Sequence, residues 1–456
     1  MSQPVDPAGG AATVPPGPVT APPAPPPAAP PPPDPAPAGR EVGNLLQRAL
    51  EGRELTLEEG ARLFEARGPE LNPLLATADY LRREAVGEQV TYVVNRNINF
   101  TNVCVKRCGF CAFSRGHRAE EGYFLPVEEV VRRAREACEV GATEVCMQAG
   151  LAPGLDGWHY VELVRAVKEA LPALHIHGCS PEEVLYGSQL AGVSVRDYLV
   201  ALQEAGLGSL PGTSAEILDD SVRDTISPGR ITTAQWVALV RTAHELGIPS
   251  TSTMMYGHLE TSRHKAAHLA LLRSLQRETG GFTEFVPLGF IYEEAPMFQQ
   301  RRPPGLRHGP SGIESIRMYA VARIMLHGWI PNIQVSWVKE GPKLAQVGLL
   351  AGANDLGGTL INESISTAAG ARHGQLLAPS ALREMAREMG RLPAERATDY
   401  RILRTFPDPA QDPPDPLAQL QDVEERFGSY RGLIAQERFR FREHYARRQV
   451  GGQGSA

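Results

Sequence analysis

The sequence predicts an α/β protein built on a (β/α)8 barrel, with a helical N-terminal segment and a helical C-terminal extension. Strand-length apolar runs alternate with amphipathic helical patterns eight times between residues 88 and 374. Parallel strands with helical crossovers need both sheet faces covered, as in a closed barrel or a doubly wound open sheet. A short loop rich in cysteine directly follows the first strand, where barrels carry their active groups. Eight units favour the barrel, and the open sheet is the alternative.

Composition excludes several classes of protein. The chain has 456 residues, 42% hydrophobic residues and a formal net charge of −6 with both signs mixed, so no basic face for nucleic acid is expected. Apolar runs are too short for a membrane span, and the first residues lack a secretory pattern. Six cysteines suit a reducing compartment, so we expect a cytoplasmic protein.

The first 87 residues divide into two parts. Residues 1–39 hold 16 of the 39 prolines and are predicted to be a disordered Pro/Ala-rich tail. Residues 40–87 show helical periodicity, and Thr56 with Glu59 resembles a capping box at the start of a helix.

The barrel is assigned to residues 88–374. Strands are expected at Val90–Phe100, Thr143–Met147, Ala173–His177, Leu207–Leu210, Pro249–Met255, Thr283–Leu288, Asn332–Trp337 and Asn354–Gly358. Helices fill the gaps, one with Pro126 in its first turn and another between Thr232 as N-cap and Gly247 as C-cap. Residues 375–456 are expected to be a mostly helical extension.

Three cysteines within eight residues, Cys104, Cys108 and Cys111, have the spacing C-x3-C-x2-C. Structural zinc and ordinary iron–sulfur clusters take four protein ligands, so three thiolates are one too few for either. A [4Fe–4S] cluster on three thiolates leaves one iron open, and S-adenosylmethionine (SAM) chelates such an iron in radical SAM enzymes. The alternative is a zinc site with His117 as fourth ligand.

Residues at the predicted strand ends are candidates for contact with the cofactor. Gln148 and Gly150 form a turn after the second strand that could meet the amino group of SAM, and Glu216 after the fourth could reach a ribose or an amine. Phe110, just before the last thiol, is placed at the cofactor as well. Cys138, Cys146 and Cys179 are interpreted as core thiols.

Polar stripes on three strands are candidates for contact with the substrate. Alternation places His175 with His177, Asn95 with Asn97 and Asn99, and Asn332 with Gln334 and Ser336 on single faces. Barrel interiors are usually filled by Val, Ile and Leu, so such stripes indicate a wet lumen that holds ligands. The alternative is that the stripes face helices and bond to the backbone. The predicted substrate residues are His177, His258, Glu260, Asn332, Gln334 and Ser336.

Beyond the cysteines, longer stretches resemble one branch of the radical SAM enzymes, the FO synthase subunit of CofH type. The stretches are NRNINFTNVC at 95–104, PGTSAEILDD at 211–220, TMMYGH at 253–258, GFTEFVPL at 281–288, PNIQVSWVK at 331–339 and ANDLGGT at 353–359. The resemblance covers about residues 40–400. The chain has Gln148-Ala149-Gly150 where the family usually has Gln-Gly-Gly. Two menaquinone-pathway families, aminofutalosine synthase and the cyclic futalosine-forming enzyme, are more loosely similar.

The resemblance implies one [4Fe–4S] cluster per chain and SAM as cofactors. It implies that L-tyrosine is cleaved and its 4-hydroxybenzyl group joined to C5 of 5-amino-6-(D-ribitylamino)uracil, with 2-iminoacetate, methionine and 5′-deoxyadenosine as the other products. It further implies an external electron donor and a separate ring-closing FO synthase subunit of CofG type, because only one cysteine triad is present. A menaquinone-pathway enzyme is the alternative activity. A binding protein stabilised by zinc or an iron–sulfur cluster is the alternative from another class.

Overall fold

The computed structural model describes residues 30–442. The strands of this part are β1 (Gln89–Val93), β2 (Asn95–Asn97), β3 (Glu144–Met147), β4 (His175–Gly178), β5 (Ser250–Tyr256), β6 (Phe282–Gly289), β7 (Asp355–Gly358), β8 (Leu392–Arg396) and β9 (Ile402–Thr405). Short 3-10 helices lie at Ala36–Ala38, Gly68–Glu70, Pro409–Gln411 and Glu437–Phe439.

The same part of the chain also forms the α-helices. They are α1 (Arg40–Leu50), α2 (Leu57–Leu63), α3 (Leu71–Val86), α4 (Val127–Glu139), α5 (His159–Ala170), α6 (Pro181–Ala191), α7 (Val195–Glu204), α8 (Asp220–Ile226), α9 (Thr233–Glu245), α10 (Ser262–Thr279), α11 (Pro296–Gln299), α12 (Gly312–Leu326), α13 (Trp337–Glu340), α14 (Pro342–Leu350), α15 (Ile365–Ala369), α16 (Pro379–Glu388), α17 (Val423–Phe427) and α18 (Tyr430–Ile434).

The strands close into a parallel ring, so the predicted barrel is confirmed and the open sheet is not. β1 and β2 together form the first barrel strand, with β7 beside β1 and β3 beside β2. The fourth barrel strand, at Ser209 and Leu210, bridges β4 to β5, and the seventh, at Ile333 and Gln334, bridges β6 to β7. The carboxyl ends of all eight barrel strands therefore meet at one mouth, as the fold requires.

Local sequence signals place the helix ends as expected, to within a residue. Thr56 and Glu59 form the predicted capping box at the start of α2, and Thr232 forms one at the start of α9. Gly247 has a φ of +77° and lies one residue beyond the C-cap of α9. Pro126 is the N-cap of α4 rather than a first-turn residue.

The N-terminal boundary differs slightly from the prediction. Most of the predicted disordered tail, residues 1–29, lies outside the described residues. Its last part does not: Ala36–Ala38 forms a 3-10 turn in which Ala38 is buried. Part of the predicted tail is therefore folded, and the segment that follows forms α1, α2 and α3.

The C-terminal extension is not as helical as expected. After α16 the chain forms β8, which pairs parallel to β1, and β9, which pairs antiparallel to β8. Pro393 lies inside β8, and proline within a short run argues against a strand when only the sequence is read. Pairing with β1, which is distant in the chain, decided the structure here.

Within residues 30–442, no helix is both long enough and apolar enough to span a lipid bilayer.

Candidate active site

A cavity of about 240 Å³ opens at the carboxyl ends of the barrel strands. Cys104, Cys108 and Cys111 all line it, and all three thiols are free. The predicted cofactor residues lie in the same wall, namely Phe110, Gln148, Gly150 and Glu216. The structure thus brings together seven residues that the sequence assigned to one site, although no ligand contact tests their roles.

Backbone hydrogen bonds fix the loop that carries the cysteines. The amide of Cys104 donates to the carbonyl of Arg115 at 3.0 Å, and that of Val105 donates to Leu151 at 2.8 Å. The Gly109 amide donates to Ile226 at 2.8 Å, which ties the middle of the loop to the end of α8. These bonds join the loop to two neighbouring parts of the mouth.

The turn after β3 packs directly beneath this loop. A side chain at Gly150 would place its Cβ 2.4 Å from the carbonyl oxygen of Val103, so only glycine fits there. Gly150 also donates its amide to Thr101 at 2.9 Å. Ala149 is not among the non-glycine residues with positive φ, and its amide donates to Glu183 at 3.0 Å. The alanine that departs from the usual family motif is therefore accommodated.

Charged side chains surround the cysteine end of the cavity. Arg230 donates to Glu216 at 2.8 Å and to Glu182 at 3.2 Å, and its guanidinium lies 5.8 Å from the centre of the Phe110 ring. Lys106, between the first two cysteines, lies 3.3 Å from Glu182. This network links the cysteine loop to the ends of the third and fourth barrel strands.

Several lining residues were missed by the sequence reasoning, among them Lys106, Glu182, Glu183, Arg230 and Lys339. Glu183 closes a capping box with Ser180 immediately after β4, which was a readable signal for a strand-end carboxylate. Burial raises the pKa of Glu183 to about 7. Lys339 was overlooked because it follows the alternating stripe of the seventh barrel strand and lies in α13.

The donor set fits an iron–sulfur cluster. Among the described residues, no group of three His, Cys, Asp or Glu side chains is placed to hold a metal ion. Each thiolate of a four-iron cluster binds a different iron, so the three sulfurs need only line a common cavity, as they do. Burial raises the pKa of Cys108 to about 12, so metal binding there must displace a proton.

The predicted pair at the end of β5 lies outside the cavity wall. His258 is fully buried, accepts from the amide of Leu259 at 2.7 Å and bonds to the carbonyl of Met255 at 2.9 Å. Glu260 accepts from the amides of Gly257 and His258 and pairs with Arg307. Both side chains hold the loop together, and their contact with substrate stays a prediction.

The other predicted substrate residues also lie outside the lining of this cavity. His177 shares the hydroxyl of Ser209 with His175, and Asn332 donates to the carbonyl of Thr283 at 3.0 Å. Ser336 is buried at the N-cap of α13, and the half-buried Gln334 amide packs against Gly357. Their contact with substrate likewise stays a prediction.

At the amino end of the barrel, protein groups fill the space that was expected to be a wet lumen. Arg396, from the C-terminal segment, makes a two-bond ion pair with Asp355 at 2.6 and 3.1 Å. Thr398 donates to Glu144 at 2.7 Å, and Asn95 donates to the same carboxylate at 2.9 Å. The tyrosine at 400 donates to Glu284. The barrel is therefore plugged from its amino end, a contact that no local pattern could reveal.

The two other residues of the stripe on the first barrel strand differ from Asn95. The amide oxygens of Asn97 and Asn99 are buried and have no hydrogen-bond partner among the described residues. Asn99 uses its amide nitrogen to donate to the carbonyl of Gln148 at 2.7 Å, which supports the turn beside the cysteines.

A parallel barrel with an open-mouthed cavity lined by three thiols defines a radical SAM enzyme, and comparisons with known proteins agree. Residues 98–272 match the radical SAM superfamily, and residues 279–409 match the CofH/MqnC C-terminal region. The chain belongs to the family of the 5-amino-6-(D-ribitylamino)uracil–L-tyrosine 4-hydroxyphenyl transferases.

The family assignment rests on relatives of high sequence identity. The transferase of Methanothermobacter thermautotrophicus is 48% identical over 358 residues, which are 78% of this chain and 96% of that protein. The transferase of Methanocaldococcus jannaschii is 48% identical over 77% of this chain and 98% of its own length. The FO synthase of Mycobacterium tuberculosis is 50% identical over 75% of this chain, but only 40% of that protein is covered.

Solved structures support the fold alone. A methylornithine synthase matches with a TM-score of 0.58 and 21% identity, over 77% of this chain and 97% of that one. The FeFe-hydrogenase maturase of Carboxydothermus hydrogenoformans matches with a TM-score of 0.62 and 18% identity, over 79% of this chain and 81% of that one.

Proposed function

We propose that this chain cleaves L-tyrosine and transfers its 4-hydroxybenzyl group to 5-amino-6-(D-ribitylamino)uracil, as the names of its relatives suggest. The observation that carries the proposal is the convergence of Cys104, Cys108 and Cys111 on one cavity. Relatives named for these two substrates are 48% identical over nearly their full lengths, which favours this reaction over a menaquinone-pathway activity.

The three thiolates would hold three irons of a single [4Fe–4S] cluster. When bound, the cluster would supply the electron for reductive cleavage of SAM, and this cleavage would provide the radical that takes hydrogen from tyrosine. The turn at Gln148 and Gly150 would face the polar end of SAM. Glu216, held by Arg230, would accept from a ribose hydroxyl or an amine.

The cavity wall contributed by the fifth and sixth barrel strands is apolar. Met255, Leu288 and Phe290 lie there, in the same cavity as the cysteines. An aromatic ring suits such a wall, and exclusion of water protects a reactive radical. We place the tyrosine phenol ring against these side chains.

Completion of FO would require a second catalyst. The sequence has one cysteine triad, so we propose that a second triad, on a separate ring-closing subunit, converts the adduct. An external reductant would supply the electron for SAM cleavage.

An anaerobic assay of the reconstituted chain tests the proposal. With SAM, reductant, tyrosine and the aminouracil, we expect the hydroxybenzyl–dihydrouracil adduct, with 2-iminoacetate and 5′-deoxyadenosine formed in proportion. Omission of the aminouracil should remove the adduct. Bound zinc in place of about four irons per chain, with no 5′-deoxyadenosine, would instead support the binding-protein alternative.

A further inference from the structure

A second cavity adjoins the one that holds the cysteines. Its volume is about 260 Å³, similar to the 240 Å³ of the first. Both cavities are lined by Gly289, Phe290, Ile291 and Lys339, so they meet at these residues. A ligand in the second cavity would therefore lie next to a ligand in the first.

The second cavity has a different chemical character from the first. Its side chains are mainly polar or charged, namely Tyr292, Glu293, His308, Glu340, Arg372 and His373. The rings of His308 and Tyr292 stack at 5.4 Å with an angle of 23° between their planes, which gives the cavity a flat aromatic side. Donors, acceptors and a planar surface together suit a polar heterocycle with a hydroxylated chain.

Lys339 lies at the junction of the two cavities. Burial lowers its pKa, and the charges that oppose this shift come from Glu363, Glu340 and Glu216. Glu216 lines the first cavity and Glu340 lines the second, so the lysine stands between a carboxylate on each side. Glu340 itself accepts from the hydroxyl of Tyr256 at 3.0 Å, which fixes its position.

The second cavity is also the more open to solvent on its outer side. His308, Arg372 and His373 are exposed, whereas the three cysteines of the first cavity are partly covered. A substrate could enter the second cavity while the first is already filled.

We propose that the second cavity binds the pyrimidine substrate, a ureide that carries a polyhydroxylated chain, and that Lys339 faces it where the two cavities meet. This inference rests on the proposed function. It assigns the two organic substrates to separate cavities: the amino acid with its phenol ring to the first, and the polar heterocycle to the second.

Two alanines offer a matched test, because Ala369 lines the first cavity and Ala371 lines the second. Each would be changed to leucine in the full chain, reconstituted anaerobically. Binding of the aminouracil would be measured by calorimetry, and KM values for tyrosine and the aminouracil by steady-state kinetics. Ala371→Leu should raise the Kd and KM of the aminouracil by roughly tenfold or more, and change the KM of tyrosine by less than about threefold. Ala369→Leu should show the reverse.

Equal effects of the two variants on both substrates, or a larger tyrosine effect from Ala371→Leu, would overturn the assignment. Should Ala371→Leu fail to fold, Arg372→Ala removes an exposed side chain instead, and an unchanged aminouracil Kd would then overturn it. If the unmodified chain bound the aminouracil tightly but formed no adduct, the proposed function would be contradicted. The assignment of the pyrimidine to the second cavity would not be.

Discussion

At the carboxyl end of its strands the barrel opens on a cavity, whereas at the amino end residues from the C-terminal segment close it. The mouth holds three free thiols and the half-buried Lys339, which all line the cavity. At the closed end Arg396, Asp355 and Glu144 bind other protein groups. Polar residues thus line a cavity at one end of the barrel and bond to one another at the other end.

The difference teaches how to interpret polar stripes inside a barrel. Alternation along a strand establishes which face a side chain occupies, but it does not establish what the side chain meets there. Active groups of such barrels lie at the carboxyl ends of the strands, and residues at the other end contribute mainly to stability. Variants at the two ends should therefore fail in different ways.

The largest effect is expected at the mouth. Cys108→Ala should abolish adduct formation and SAM cleavage, because one iron loses its protein ligand. Iron content and the visible absorbance of the anaerobically reconstituted protein measure the loss. Cys138→Ala is the matched control, since Cys138 lies in α4 outside the cavity wall. A colourless Cys138→Ala protein, or a fully loaded Cys108→Ala protein, would contradict the assignment of ligands.

A smaller effect, on stability rather than activity alone, is expected at the closed end. Arg396→Met should lower the free energy of unfolding by about 3–5 kcal/mol, because Asp355 would stay buried without its partner. Urea unfolding monitored by circular dichroism checks this. Arg404→Met, an exposed change in the neighbouring strand β9, should alter stability by less than about 0.5 kcal/mol. Similar urea midpoints for the two variants would show that the contacts of Arg396 at the closed end contribute little to stability.

The smallest effect concerns pH. Burial lowers the pKa of His177 from 6.5 to about 4, so between these values the unfolded chain binds more protons than the folded one. Stability should therefore fall as the pH drops from 6.5 to 4, with His177 contributing up to about 3 kcal/mol of the loss. His177→Gln, which keeps a polar group for Ser209, should flatten this part of the profile. Parallel profiles for the two proteins would show that His177 is solvated or paired differently.

Local patterns predicted the barrel and the cysteine end of the cavity. Apolar periodicity and helix caps act over a few residues, and the strand-end rule then placed Gln148, Gly150 and Glu216 near the thiols. The plug could not be predicted in this way, because Thr398 and Glu144 are 254 residues apart in the chain. Lys339 could have been predicted from its position after a barrel strand. It was missed because it lies in α13, beyond the alternating residues of that strand.

The plug also has a consequence for synthesis on the ribosome. Glu144 emerges 254 residues before Thr398, the group that donates to it in the finished barrel. At about 5–20 residues per second, that interval lasts roughly 13–50 s. Throughout this time the nascent chain lacks the segment that closes the amino end of the barrel, although the cysteine loop has already been synthesised. A chain that terminates before residue 396 would lack the Arg396 partner of Asp355 and the Thr398 partner of Glu144, so the barrel gains these contacts only late in synthesis.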